Sequence, residues 1–295
     1  MKNIGGQAVI EGVMMKSSKG WSVAVRDLKG DIHHKTVELK PLHKFFKLPV
    51  IRGFIALFHA LVIGIKAIEF SGSIALSEDE KPMSSLSITF SILTALLLAV
   101  GLFIVLPLYA TKLLGDIYGS VAESSVLFNL VDGILRVVVF LGYVTAIGLW
   151  KEMRRLYQYH GAEHKTIYAY EAGEELTVES ARKYKPYHPR CGTSFLLIVM
   201  VISILVFSFI PQSWSFVLKF ASRLVLIPLI AGISYEALKL SAKKNHNIFM
   251  KMVSVPGMFL QRLTAREPDD SQVEVAIAAL KEVLALEKGK EIINA

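Results

Sequence analysis

Four long apolar segments constrain the fold of this chain more than any other feature of its sequence. They cover residues 86–108, 134–150, 195–210 and 224–240. A helix needs about 20 apolar residues to cross the hydrocarbon core of a bilayer, and much of the 53% hydrophobic content of the chain lies in these segments. We therefore predict an α-helical membrane protein, with about four transmembrane helices in a membrane domain that covers residues 86–240.

The segment before this domain, residues 49–77, is apolar but carries three basic side chains. Arg52, His59 and Lys66 follow one another at intervals of seven residues, which places them along one stripe of a helix. Three such groups would be costly in hydrocarbon. The spacing therefore predicts an amphipathic helix that lies in the membrane interface rather than a fifth span.

Less apolar regions lie at both ends of the chain. Residues 1–48 are predicted to form a small β-rich region, because 21–26 and 32–39 have the composition of two strands joined by a turn. Residues 241–295 are predicted to form a C-terminal helical region, since Pro268 and Asp269 make a good helix start. One side of that helix is apolar and suggests docking rather than a free tail: Val273, Ile277, Leu280 and Leu284.

The distribution of lysine and arginine predicts the orientation in the membrane. The loop 151–194 carries eight of these residues, whereas the loop 109–133 carries one and the loop 211–223 carries two. Cytoplasmic loops are enriched in positive charge, so we expect both termini and the loop 151–194 to be cytoplasmic. The net charge of +8 then reflects these flanks, and we expect no nucleic-acid partner.

Two short motifs in the loop 151–194 bring metal-binding residue types together. The sequence HGAEH holds His160, Glu163 and His164, and the sequence HPRC holds His188 and Cys191. Residues four apart share a face of a helix, so His160 and His164 can present two imidazoles to one ion. Five potential ligands within 32 residues favour a metal site, most simply zinc, over a chance cluster of polar residues.

Two arrangements of these residues are compatible with the sequence. In the first, His160, His164, His188 and Cys191 all bind zinc and form a closed structural site. In the second, three of them bind, the fourth position is open to water, and Glu163 is the general base, as in the inverted His-x-x-Glu-His pattern of zinc proteases. Cys191 is the only cysteine, so the chain forms no internal disulfide.

Two further acids are candidates for the same site. Glu236 lies near the end of the fourth apolar segment, where it either completes the ligand set or pairs with a nearby lysine. Glu11 lies between Ile10 and Gly12, and a buried acid there would need a partner, for which Arg52 or Lys66 is available.

Four segments of the chain together resemble the bacterial YqhQ family of multi-span membrane proteins. They are GGQAVIEGVMM at 5–15, HGAEHK at 160–165, HPRCGTSF at 188–195 and LQRLTAREPDDSQVEVAIAALK at 260–281. These proteins are regarded as candidate metal-dependent enzymes. The resemblance implies a protein of the bacterial inner membrane, and it implies a metal region that contains His160, Glu163, His164, His188 and Cys191.

These observations lead to one main hypothesis and two alternatives. The main hypothesis is a zinc-type hydrolase that acts at the cytoplasmic face of the bilayer on a lipid-like or membrane-tethered substrate. The first alternative is a non-catalytic protein whose zinc ties a cytoplasmic loop for assembly or partner binding. The second is a transporter with Asp132, Arg136 and Glu236 along its path.

Overall fold

The N-terminal region forms a four-stranded antiparallel meander. The structure is a computed structural model, and it describes residues 4–40, 46, 48–75, 85–189, 191–241 and 257–289. The strands lie in sequence order: β1 (Gly5–Val9), β2 (Gly12–Lys16), β3 (Gly20–Arg26) and β4 (Ile32–Glu38). The two predicted strands are confirmed as β3 and β4. The first hairpin was not predicted.

The helices follow the sheet along the chain. Their bounds are α1 (Ile51–Ala75), α2 (Ser85–Val100), a π-helical turn (Gly101–Val105), α3 (Leu106–Ile117), α4 (Gly119–Glu123), α5 (Ser125–Ile147), α6 (Lys151–Ala172), α7 (Val178–Arg182), α8 (Gly192–Phe207), α9 (Phe216–Ser241), α10 (257–264) and α11 (Asp270–Glu287). The chain is thus mostly helical with one small sheet, as the sequence predicts.

Four helical segments among the described residues are long and apolar enough to cross a membrane. They are Ile51–Ala75, Leu86–Ile117, Ser125–Ile147 and Phe216–Leu240. The number of such segments agrees with the prediction, but they are not the same four segments. The predicted span 195–210 falls mostly in α8, which has 16 residues and is shorter than the others. The segment predicted to lie in the interface, 49–77, contains α1, which qualifies as a span by length and composition, while residues 76 and 77 lie outside the described residues.

Helix α1 joins the helical bundle to the sheet. Near its start, Gly53 packs so closely on α9 that a Cβ at this position would lie 2.6 Å from Cβ of Tyr235. Further along, Ile63 and Ala67 pack on one face of the sheet, against side chains that include Trp21. The sheet therefore covers one side of the second half of α1.

The first predicted span does not end at Pro107. Proline has no N–H to donate to the preceding turn, and here the π-helical turn Gly101–Val105 lies directly before α3, which has Pro107 in its first turn. The wider turn lets the helix continue past the proline. The apolar segment consequently runs on to Ile117.

The other face of the sheet packs on α6 and α11. Val13 and Met15 from β2 meet Tyr159 of α6 and Leu280 of α11 in one buried core. Helix α11 begins at the predicted position, with Asp269 in a capping box. A helix thus forms at the predicted position, and its apolar side docks on the sheet and on the helix that carries the HGAEH motif.

Candidate metal centre

Helix α6 places the HGAEH residues between the sheet and the end of the bundle. It is a separate helix, because the chain turns at residues 148–150 after α5 ends at Ile147. His160, Glu163 and His164 occupy one face of α6 by their spacing of three and four residues. Cys191 is the N-cap of α8, where its Sγ accepts a hydrogen bond from the backbone N–H of Thr193 at 3.4 Å.

His160, His164 and Cys191 bring three ligand atoms together. These atoms lie within 4.8 Å of one another, and Nε2 of His160 is 3.1 Å from Sγ of Cys191. Zinc bonds of about 2.1 Å to nitrogen and about 2.3 Å to sulfur put neighbouring ligands in a tetrahedron roughly 3.3–3.6 Å apart. The three side chains therefore fit one zinc ion after shifts that a side chain can make.

Both imidazoles are oriented by backbone carbonyls. Nδ1 of His160 donates to the carbonyl of Thr264 at 2.7 Å, and Nδ1 of His164 donates to the carbonyl of Pro186 at 2.7 Å. A carbonyl oxygen only accepts, so each neutral ring carries its proton on Nδ1 and a lone pair on Nε2. Outer hydrogen bonds of this kind fix the tautomer and orientation of histidines that bind metals.

His164 is the most deeply enclosed of the three ligands. Its side chain is buried, and its Nε2 has no hydrogen-bond partner among the residues that the structure describes. Burial lowers the pKa of His164, although the neighbouring Cys191 opposes this. A buried ring that is held neutral, with a lone pair directed at a thiol and a second imidazole, has the form that metal binding requires.

His188 lies beside this group without joining it. Its Nε2 is 3.4 Å from a carboxylate oxygen of Glu171, and its ring stands edge-on to Tyr168 at a centroid distance of 4.4 Å. Gln261 holds its backbone from both sides, with hydrogen bonds of 2.7 and 2.8 Å. Burial lowers the pKa of His188, which the charge of Glu163 opposes. The described residues thus assemble three of the four predicted ligands.

Glu163 is buried where the sheet meets α6. The backbone N–H of Gly6 donates a hydrogen bond to its carboxylate, and His160 and His188 are close enough to act on its charge. Burial nevertheless raises the pKa of Glu163. A Cβ at Gly6 would lie 3.0 Å from Cγ of Glu163 and 2.5 Å from the carbonyl oxygen of Met14, so a side chain does not fit there. Gly6 thus allows β1 to approach this acid.

The other two candidate acids lie in ion pairs outside the cluster. Glu11 receives hydrogen bonds from both Arg155 and Tyr159 of α6, rather than from Arg52 or Lys66 as predicted. Glu236 is paired with Arg52 instead, and it also accepts a hydrogen bond from the backbone N–H of Val50. Glu11 docks the first hairpin on α6, and Glu236 docks α1 on α9.

Sequence reasoning missed the residues that position the histidines of the two motifs. Pro186, Gln261 and Thr264 act through backbone carbonyls or on the backbone, so their side chains carry no metal-binding pattern. Gly161 is the residue whose type could have indicated a close backbone contact, since it lies inside the HGAEH motif. A Cβ at Gly161 would lie 1.9 Å from the carbonyl oxygen of Arg266. The segment after α10 passes too close to α6 for any larger residue.

A cavity of about 520 Å³ lies between the segment 183–187 and α10. Tyr168 and Tyr187 form part of its wall, and Tyr168 contacts the His188 ring. Basic and apolar side chains form the rest, among them Lys185, Phe259 and Arg262. Such a surface suits a molecule that has both a negative charge and an apolar part.

Comparisons with known proteins place these residues in a family. The family model described as "Protein of unknown function (DUF1385)" matches residues 48–286. The "Uncharacterized protein YqhQ" of Bacillus subtilis (strain 168) is 33% identical over 302 residues, which cover 96% of this chain and 92% of that protein. No solved structure matches. The resemblance to YqhQ proteins is thereby confirmed, and the chain belongs to the DUF1385 family.

Proposed function

We propose that this protein is a metal-dependent hydrolase of the bacterial inner membrane, whose reaction centre faces the cytoplasm. The observation that carries the proposal is the convergence of two tautomer-fixed histidines and one cysteine beside the buried Glu163. Catalytic zinc sites commonly have three protein ligands and one open position, whereas structural sites have four protein ligands. The presence of three ligands among the described residues therefore favours catalysis.

In this proposal each side chain has a distinct role. His160, His164 and Cys191 would hold the ion, which would supply Lewis-acid chemistry at the open position. Glu163 would orient an attacking water and accept its proton, since its carboxylate is buried on the same face of α6. The hydrogen bond from Gly6 would keep that carboxylate in position. His188 would hold the wall of the site through its contacts with Glu171 and Tyr168.

The neighbouring cavity supports an anionic, membrane-tethered substrate. Lys185 and Arg262 line it, and so does the apolar side chain of Phe259. The site also lies close to the membrane domain, because Cys191 directly precedes α8. The expected substrate is therefore an ester or phosphoester whose headgroup carries negative charge and whose tail stays in the bilayer.

A zinc and activity measurement tests this proposal. Protein purified in detergent should contain about one zinc ion per chain and should hydrolyse at least one member of a panel of anionic lipid esters. Glu163→Gln should keep the zinc and lose the hydrolysis. A protein without bound metal after purification and zinc reconstitution would contradict the proposal.

A structural role for the metal is the second candidate, and one observation favours it. The three ligands and their carbonyl partners tie together α6, the residues Pro186 and Cys191 before α8, and α10, which are far apart in sequence. In that case Glu163→Gln would leave function in the cell unchanged, whereas Cys191→Ser would destabilise the fold. The two variants together separate the candidates.

A further inference from the structure

A second cluster of charged residues lies inside the helical bundle, apart from the metal centre. Asp132 of α5 accepts hydrogen bonds from Arg136 at 2.7 Å and from Arg223 of α9 at 3.1 Å. Arg136 also donates to Ser203 of α8, and Arg223 donates to Asn129. Asp132 and Arg223 are fully buried, at 0% and 1% exposure. The predicted polar groups Asp132 and Arg136 thus meet, while Glu236 lies elsewhere.

The charges of this cluster do not balance. Two guanidinium groups share one carboxylate, so the cluster carries one excess positive charge. Among the described residues, Asp132 is the acid that binds either arginine, and Nε of both arginines has no hydrogen-bond partner. An uncompensated charge in a bundle of membrane helices is costly. The cluster is therefore suited to a bound anion.

An apolar cavity of about 390 Å³ adjoins the two arginines. It follows α8 from Phe195 to Phe207, a length of about 18 Å at 1.5 Å per residue. Both guanidinium groups lie 5.1 Å from the Phe207 ring, so the charged end is the one farther from the metal centre. Side chains such as Leu57, Val199 and Ile227 line the rest.

We propose that this cavity binds an acidic glycerophospholipid. Its phosphate would lie against Arg136 and Arg223, which retain unused N–H groups, and one acyl chain would extend along α8 toward Phe195. Arginine suits this role because its fork of N–H donors matches the phosphate oxygens. The volume lies within the range of roughly 300–1,000 Å³ that is typical of ligand pockets. The proposal is independent of the hydrolase chemistry.

The headgroup is tested with a charge series. Arg136→Gln lowers the net charge of the cluster to zero, Asp132→Asn raises it to +2, and the double variant keeps +1. Native mass spectrometry would measure retention of phosphatidylglycerol and of phosphatidylcholine with the same chains. We expect the wild type to prefer phosphatidylglycerol, Arg136→Gln to bind it about tenfold more weakly, and Asp132→Asn to bind it more tightly.

The acyl chain is tested with a matched pair of substitutions on α8. Val199→Trp fills the cavity, whereas Val201→Trp adds the same side chain at a position that is 56% exposed on the outside of the bundle. We expect the first to lose phosphatidylglycerol and the second to retain it. This pair leaves the charged cluster intact, so it remains decisive if a charge variant fails to fold.

Four results would overturn the proposal. The first is equal retention of the two lipids by the wild type, and the second is equal retention of phosphatidylglycerol by Val199→Trp and Val201→Trp. The third is full competition by inorganic phosphate alone, which would identify an anion site that makes no use of the apolar cavity. A charge series that changes thermal stability but not lipid retention would likewise show that the cluster only joins helices.

Discussion

Nδ1 of His160 donates a hydrogen bond to the carbonyl of Thr264, 104 residues further along the chain, at a distance of 2.7 Å. This contact joins the HGAEH helix to α10 and turns Nε2 of His160 toward Cys191. Geometry at the candidate metal centre therefore depends on the path of a distant segment. Its path depends in turn on Gly161, because the chain passes α6 at that residue.

Gly161→Ala should disturb the metal centre without removing a ligand. The new Cβ would lie 1.9 Å from the carbonyl oxygen of Arg266, so the segment that carries Thr264 must move. Loss of an outer hydrogen bond typically lowers metal affinity by about 10–100-fold, and we expect a loss of this size in a zinc competition titration. Gly142→Ala on α5 is the control, because a Cβ there meets no packed neighbour within 4 Å and Gly142 is not adjacent to a ligand in the sequence. Equal affinities of both variants would contradict the prediction.

Glu163→Gln should separate zinc binding from catalysis. The substitution preserves size and removes the ability to accept a proton, so we expect full zinc occupancy and a loss of hydrolysis of about 10²–10⁴-fold. Activity is measured on the anionic lipid ester found in the substrate panel, and zinc is measured by elemental analysis of the same sample. Full activity in the variant would exclude Glu163 as the base.

Glu11→Gln and Glu236→Gln should both keep the metal. Glu11 binds Arg155, and Glu236 binds Arg52, so neither acid is directed at the histidines. The Glu11 variant should lose roughly 0.2–1 kcal/mol of stability, the range for partly exposed ion pairs. Thermal unfolding and zinc content measure the two effects, and loss of zinc in either variant would assign that acid to the metal centre.

The strands and helices illustrate which features a sequence can predict. Strands β3 and β4 have an evident strand composition around a turn in which Gly30 adopts a φ of 96°. The first hairpin lacks an evident strand composition, because it is rich in glycine and its turn holds Glu11 at a φ of 50°. The hydropathy pattern predicted the apolar helices. It could not show that half of α1 packs on the sheet, since that contact depends on tertiary structure.

The candidate metal centre likewise has features that the sequence predicts and features that depend on tertiary structure. The spacing of His160 and His164 predicts a shared helix face, and the structure brings Cys191 to that face. The HPRC motif does not reveal that His188 points to Glu171 instead, because the spacing of such a short motif leaves the direction of each side chain open. The carbonyls of Pro186 and Thr264 have no sequence pattern, since any residue offers one.

Zinc stoichiometry in a pair of histidine variants tests the account most directly. The full-length protein, purified in detergent and reconstituted with zinc, is compared with His164→Ala and His188→Ala. A centre built from His160, His164 and Cys191 predicts that His164→Ala loses the ion and that His188→Ala retains one per chain. Equal loss in both variants would contradict the three-ligand centre and would support a closed site with four ligands.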